Sequence, residues 1–437
     1  MDKIRSDLKG ADFNEKLIWK TDEGFDVMPF YRQEDLEKLN HLDFFLPLFL
    51  RGDVRQPADR GVQEKPERGD IKEEGNNSWL IRQDITVSEY CTANEKALSV
   101  LMKGVDSIGF IIKDPDSVNE ENLTMLLKDI NPECAEINFH PEGKAIEIIK
   151  LITGIWLKNG FNLSLIRGAV EADPLGRLVV NGKLCVPVDA GFDYLASLVR
   201  ETLAIQDYRC IHINGKWFKN SGSDSVLELA FTLSMAVEYM NQLTERGINP
   251  ELAAKAIRFS YGVGSSYFME IAKLRAARLL WSVVCGKYGL TKGDSCRMEI
   301  HCGTSNMDSN ADDPYINIIR TQTEAMSAVI GGTDSLTVNP FDSPFCQPDE
   351  FSERIARNQQ LILREEAYFG KVADPSAGSY YIENLTSLVA ENAWELFLEI
   401  EENGGFLSAF NTGLILAKLA ESSARVEKDN DINKTDI

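Results

Sequence analysis

The chain is poor in histidine, with four among 437 residues: His41, His140, His212 and His301. No two stand at zinc-ligand spacing, so no zinc centre is expected. The eight cysteines include no Cys-x-x-Cys, and the nearest two are Cys296 and Cys302. Most sit among apolar residues and read as buried reduced thiols rather than a disulfide framework. No apolar run approaches the roughly 20 residues that span a bilayer. The opening "MDKIRSDLKGADFNEK" lacks the apolar stretch of a signal peptide. These absences predict a cytoplasmic protein. Positive charge is also short: 46 Lys and Arg against 68 Asp and Glu leave a net −22. That balance repels DNA and acidic membrane surfaces, while a local basic pocket for a small anion stays possible. No Gly-x-Gly-x-x-Gly follows the first strand, and "YGVGSSYF" lacks the lysine of a phosphate loop. The simplest dinucleotide-binding sheet and the phosphate-loop fold are thereby removed.

What is present is a regular texture. Residues 1–78 form an N-terminal arm with aromatic anchors, "IWKTDEGFDVMPFY" and "HLDFFLPLFL", followed by a charge-rich loop over 51–77 that reads as a mobile linker. From Trp79, short apolar runs alternate with helical segments. The strand candidates are "SIGFII" (107–112), "AEINF" (135–139), "LSLIRG" (163–168), "CIHING" (210–215), "IRFSYG" (257–262), "MEIHCG" (298–303), "SLTVN" (335–339) and "YYIE" (380–383). Helices are expected over 226–243 and 267–289. In the second, Phe268, Ile271, Ala272, Leu279 and Leu280 recur at helical spacing and mark an apolar face. Alternating strands and helices imply parallel pairing, and about eight such units predict an α/β (β/α)8 TIM-type barrel over 79–410. Residues 411–437 read as a helical, polar tail.

In such a barrel the site forms where strands end. That rule selects Lys216 and Trp217, "YGVGSSY", "HCGTSN" and "ADPSAGSYY". His212 lies mid-strand in an apolar run and reads as a satisfied core histidine. His301 has two readings, lining a pocket or making a structural hydrogen bond. A Cys302–His301 nucleophilic pair is disfavoured because neighbours on a strand face opposite ways. Arg82, Arg275 and Arg278 are candidates for anion binding. For the last two, surface pairing with Glu270 on the same helix is the plainer reading. "DDPY" reads as a helix start with Asp313 capping and Pro314 in the first turn, and "DPSAGSYY" as a turn feeding a strand. The residues alone supply a site region without a persuasive catalytic set.

Four longer strings resemble one family: "YFMEIAKLRAARLLW", "DDPYINIIRTQTEAMSAVIGGTDSL", "RIARNQQLILREEA" and "DPSAGSYYIENLT" are similar to the substrate barrel of the cobalamin-dependent acyl-CoA mutases. The likeness runs from about Trp79 to about Phe406. It implies a barrel that orients an acyl-CoA ester while adenosylcobalamin supplies radical chemistry, as in the conversion of methylmalonyl-CoA to succinyl-CoA.

The same resemblance exposes departures. Where the family's catalytic chains read roughly Ser-Gly-Tyr-His, this chain has Asn214, Gly215, Lys216 and Trp217. The histidine of that motif would donate to the thioester carbonyl, a geometry the Trp217 indole cannot reproduce. A tyrosine-bearing segment expected before "WLIRQ" is replaced by the charged loop, although Arg82 is kept. Gly303 stands where a glutamine is expected. The Asp-x-His-x-x-Gly motif for cobalamin occurs nowhere in the chain. The resemblance therefore implies no catalytic residues, a vestigial pocket lined by Arg82, Gly215, Lys216, Trp217, His301 and Gly303, and no metal or cofactor held by this chain. It points to the degenerate small subunit of a heterodimer whose large subunit carries adenosylcobalamin, with the arm as a subunit contact. Two alternatives stay open: an active mutase barrel of altered substrate with a separate cobalamin-binding chain, and a stand-alone acyl-CoA-binding module.

Overall fold

The computed structural model describes residues 17–36, 39, 77–184, 186–290, 297–307 and 309–435. "HLDFFLPLFL" and nearly all of the charged loop lie outside the described residues. So do Cys185 and Cys296.

A two-stranded hairpin, β1 (Trp19–Lys20) and β2 (Asp26–Val27), precedes eight strands. These are β3 (Leu80–Thr86), β4 (Ser107–Ile112), β5 (Glu136–Pro141), β6 (Arg167–Ala172), β7 (Asp207–Asn214), β8 (Ile257–Val263), β9 (Ile300–Thr304) and β10 (Ser335–Thr337). They close in the order β10-β3-β4-β5-β6-β7-β8-β9, and every pairing in the barrel is parallel. The expected (β/α)8 barrel is therefore present. Outward residues such as Ile81, Ile108, Phe110, Ile137, Phe139 and Phe259 are at most 1% exposed and form the apolar layer under the helices. Burying each such side chain contributes roughly 1.5–3 kcal/mol.

Three expectations need correction. "YYIE" is not a strand but the first turn of the helix Tyr380–Glu402. Ser379 caps it, and Ile382, Leu385, Val389, Ala393, Phe397 and Ile400 bury one face at helical spacing. "DPSAGSYY" therefore feeds a helix rather than a strand. The eighth strand is instead Leu80–Thr86, whose polar centre, Arg82-Gln83-Asp84, hid it. "LSLIRG" is displaced: a turn in which the Asn162 side chain accepts from the Ser164 amide (3.1 Å) delays β6 until Arg167.

Smaller expectations also shift. Asp313 makes no side-chain cap, because the helix Ile316–Ile330 starts at an uncapped Tyr315. Phe268 is 52% exposed rather than part of its helix's buried face, and lies 5.5 Å from the Tyr381 ring. Of the six described cysteines, Cys210, Cys285 and Cys302 are buried and Cys91, Cys134 and Cys346 are exposed, and none of the six is in a disulfide.

The described part of the arm packs on its own chain. The hairpin turns at Gly24, whose φ of +87° suits glycine, with its amide donating to the Thr21 carbonyl. Tyr31 meets Tyr381 edge-on at 5.9 Å. Glu23 sits beside Asp224 and Lys219; burial and then Asp224 raise its pKa to about 7, against the pull of Lys219. A folded-state value above the ordinary 4.5 means that a proton favours docking. That contribution is complete below the ordinary value and disappears as pH rises through about 7. Amides of residues 19–27 should then exchange faster, relative to their intrinsic rates, above that pH than below it. Glu23→Gln should remove the dependence. Equal protection across the range would show that the hairpin does not rely on Glu23.

Candidate functional site

The bore of the barrel is the unusual part. TIM-barrel interiors are dominated by bulky branched side chains, but here inward positions carry charge. At the N-terminal end Arg258 on β8 reaches across to Glu136 (2.5 Å) and Asn138 (2.5 Å) on β5, and its Nε donates to Glu299 (2.6 Å). Burial opposes the charge of Glu299, but Arg258 and Arg209 outweigh it and hold the carboxyl down at about 2.

One layer higher, Arg82 on β3 donates to Asp84 (2.8 Å) and to Glu171 on β6 (3.3 Å), and touches His140 on β5. Nδ1 of His140 lies 2.6 Å from Glu171 Oε2, and Nδ1 of His212 on β7 lies 2.5 Å from the same oxygen. Burial would raise the Glu171 pKa, yet His140, His212 and Arg82 together hold it well below the usual range. His212 also meets Ser260 Oγ at 2.5 Å. The expected satisfied core histidine is thus a member of a charged cluster inside the bore. His301 lies 2.9 Å from Ser335 Oγ, and burial, then Arg82 and Lys216, keep it neutral. Of its two readings, the structural hydrogen bond is present.

At the C-terminal mouth, β7 ends at Asn214, and Gly215 leads into the short helix Lys216–Asn220. Lys216 lies flat across β9: a Cβ at Gly303 would stand 2.7 Å from its Cε and closer still to Nζ. Burial lowers the Lys216 pKa, with Asp84 pulling the other way. The Trp217 ring covers Gly176, where a Cβ would come 2.6 Å from Cζ3. Arg82, Lys216, His301 and Gly303 therefore meet in the bore, with Gly215 at the mouth. Trp217 points aside, over the helix Pro174–Asn181.

Arg275 and Arg278 were expected to pair with Glu270 on the surface; neither does. Arg275 is 3% exposed and bound to Asp374 and Glu383 (2.7 Å), and Arg278 pairs with Asp334 (2.9 Å). Glu270 belongs to a second buried cluster that sequence reasoning missed. Lys273 Nζ lies 2.7 Å from Glu228, 2.5 Å from Glu270 and 2.6 Å from the Gly262 carbonyl, while Lys219 reaches Glu270 at 3.2 Å. Glu228 and Glu270 accept from the amides of Gly262 (2.9 Å) and Gly264 (3.0 Å), which fixes the end of β8 to the helices Ser225–Glu245 and Tyr267–Lys287.

Fold and bore together define a parallel (β/α)8 barrel whose axial space is filled by charged side chains. A family model described as methylmalonyl-CoA mutase matches residues 116–437. The chain is 42% identical over 425 residues to the methylmalonyl-CoA mutase small subunit of Porphyromonas gingivalis, covering 95% of this chain and 64% of that protein. It is 34% identical over 429 residues to a methylmalonyl-CoA mutase of Rhizobium meliloti, covering 94% and 59%. To the large subunit of Porphyromonas gingivalis it is 30% identical over 423 residues, covering 94% and 58%. This chain belongs to the methylmalonyl-CoA mutase family, and it spans 58–64% of the length of these three relatives.

Adenosylcobalamin is what the family resemblance implies for catalytic chains. Among the described residues, Lys216 lies across the bore, His212 and His301 are buried within it, and His140 is held by Arg82 and Glu171. None of these three described histidines stands ready to ligate cobalt above the strands. Among the described residues no helix is long and apolar enough to cross a membrane.

Proposed function

We propose that this chain is the small, non-catalytic subunit of a cytoplasmic, two-chain methylmalonyl-CoA mutase, stabilising a large subunit that holds adenosylcobalamin and turns over methylmalonyl-CoA. One observation carries the reading: Lys216 fills the space beside Gly303, the two positions where the resemblance expects tyrosine and glutamine. A substrate chain along the axis would have to displace this lysine and the Arg82–Glu171 pair beneath it. The higher identity to a small subunit than to the large subunit of the same organism supports the choice of role.

The test is mutase turnover with adenosylcobalamin and methylmalonyl-CoA, using this chain, the large chain, and their mixture. Silence from this chain alone, with activity higher or longer-lived in the mixture than in the large chain alone, is the expected result. Turnover from this chain given only a free cobalamin-binding domain would overturn the reading, and Lys216 would then be the group polarising the thioester. Titrating CoA esters into the isolated chain checks the acyl-CoA-binding alternative; saturable binding would favour it.

A further inference from the structure

Spacing along the chain offered no zinc site, but three adjacent parallel strands bring two histidines and a glutamate to one point. His140 stands next to last on β5, Glu171 lies on β6 and His212 on β7, and one ligand atom from each falls within 4.8 Å of the other two. Glu171 is 7% exposed, and both Nδ1 atoms stand 2.5–2.6 Å from its Oε2. A buried carboxylate oxygen is thus held between two imidazole nitrogens, the juxtaposition a shared cation would bridge.

We propose that His140, Glu171 and His212 form a binding site for a divalent transition-metal ion of the zinc class, inside the C-terminal half of the bore. Two imidazole nitrogens and one carboxylate oxygen suit zinc or cobalt(II), and three protein ligands leave a fourth position for water. Groups behind the ligands are in place. Nε2 of His212 meets Ser260 Oγ at 2.5 Å, and a proton donated there leaves Nδ1 with its lone pair for the metal. Glu171 Oε1 is held by Arg82, so Oε2 is the atom left to coordinate.

The neighbouring Arg82 sets the terms. A guanidinium only donates, so its contact with His140 Nε2 places the His140 proton on Nδ1 in the metal-free form. A metal on Nδ1 shifts that proton to Nε2 and turns Arg82 away from His140, while Arg82 keeps Asp84 and Glu171. Metal and arginine therefore compete for one imidazole. This site is separate from the role proposed above and stands or falls without it.

The experiment uses tag-free full-length protein, stripped with a chelator and titrated with zinc chloride, then with cobalt chloride. One zinc per chain retained after desalting is expected, with a cobalt(II) visible spectrum lacking thiolate charge-transfer bands. Glu171→Gln and His212→Gln should lose the ion while keeping the circular dichroism of the barrel. Arg82→Gln should bind roughly tenfold more tightly, the size of effect such surrounding groups commonly have. Zinc no higher than the buffer background, or binding unchanged in both ligand variants, would overturn the proposal. A thiolate signature would also overturn it, by assigning the ion to cysteine. Should a ligand variant fail to fold, the wild-type cobalt spectrum and the Arg82→Gln affinity decide.

Discussion

Lys273→Met is expected to destabilise the folded chain by about 3–5 kcal/mol, the range seen when one member of a buried ion cluster is removed. Lys273, Glu228 and Glu270 are all fully buried, and the lysine is within 2.7 Å of both carboxylates. Methionine matches the stem but leaves two acids facing one another, with only Lys219 in reach of Glu270. Burial opposes the Glu270 charge, yet Lys273 and then Lys219 hold its pKa down at about 2. A depressed carboxyl contributes stability above its ordinary value of 4.5, lost as pH falls through about 2. Without Lys273 that contribution shrinks and an uncompensated charge replaces it. The measurement is the urea midpoint of the variant at neutral pH, with exposed Lys287→Met as the control, expected within about 0.5 kcal/mol of the parent. Adding Glu228→Gln to Lys273→Met should recover part of the loss, since one of the two stranded acids is gone. A cost below about 1 kcal/mol would mean that protonation relieves the cluster and that it does not secure the end of β8.

The barrel was legible because apolar runs ending in glycine or a small polar residue alternate with helical segments, a pattern visible one window at a time. β4 is matched to the residue, and the two long helices to within two residues at each end. The missed strand has one cause. In an ordinary barrel the inward face is apolar, so a strand reads as continuous hydrophobicity; here the inward face is charged. Arg82 and Asp84 kept β3 out of the strand candidates, and the aromatic "YYIE" took its place among the eight strands. The candidate site was half visible. The strand-end rule already pointed to Lys216, Trp217 and the "HCGTSN" segment, but only the resemblance gave them meaning, since no local pattern marks an absent tyrosine–histidine pair. The Glu171 cluster left no trace, because His140, Glu171 and His212 lie on different strands and become neighbours only when the barrel closes. Arg275 and Arg278 misled for the opposite reason. Their spacing to Glu270 suggested a surface triad, while their true partners lie about 50 to 110 residues away.

Gly303→Gln is expected to cost about 1–3 kcal/mol alone, the usual penalty for forcing a side chain into filled space. In Lys216→Ala, with the space cleared, the same change should cost markedly less. The sequence presents the lysine and the glycine as two separate departures from the catalytic pattern, but the structure makes them one. Lys216 Cε and Nζ occupy the volume that any side chain at residue 303 would enter. The lysine end is flexible, so the introduced glutamine displaces it instead of breaking the strand. The cost then comes from moving a buried ammonium out of a position where Asp84 favours its charge and Arg82 opposes it. A four-member cycle of the parent, both single variants and the double variant, read by urea unfolding, should give a coupling of about 0.5–3 kcal/mol in favour of the double. Additivity within about 0.3–0.5 kcal/mol would show that the two residues do not share the space. A chain that loses its glutamine and gains this lysine closes its own bore, and reversing either change alone leaves the bore either overfilled or empty. Only the double replacement clears the lysine and restores the glutamine, so among the four members it is the one in which binding of a CoA ester should first appear.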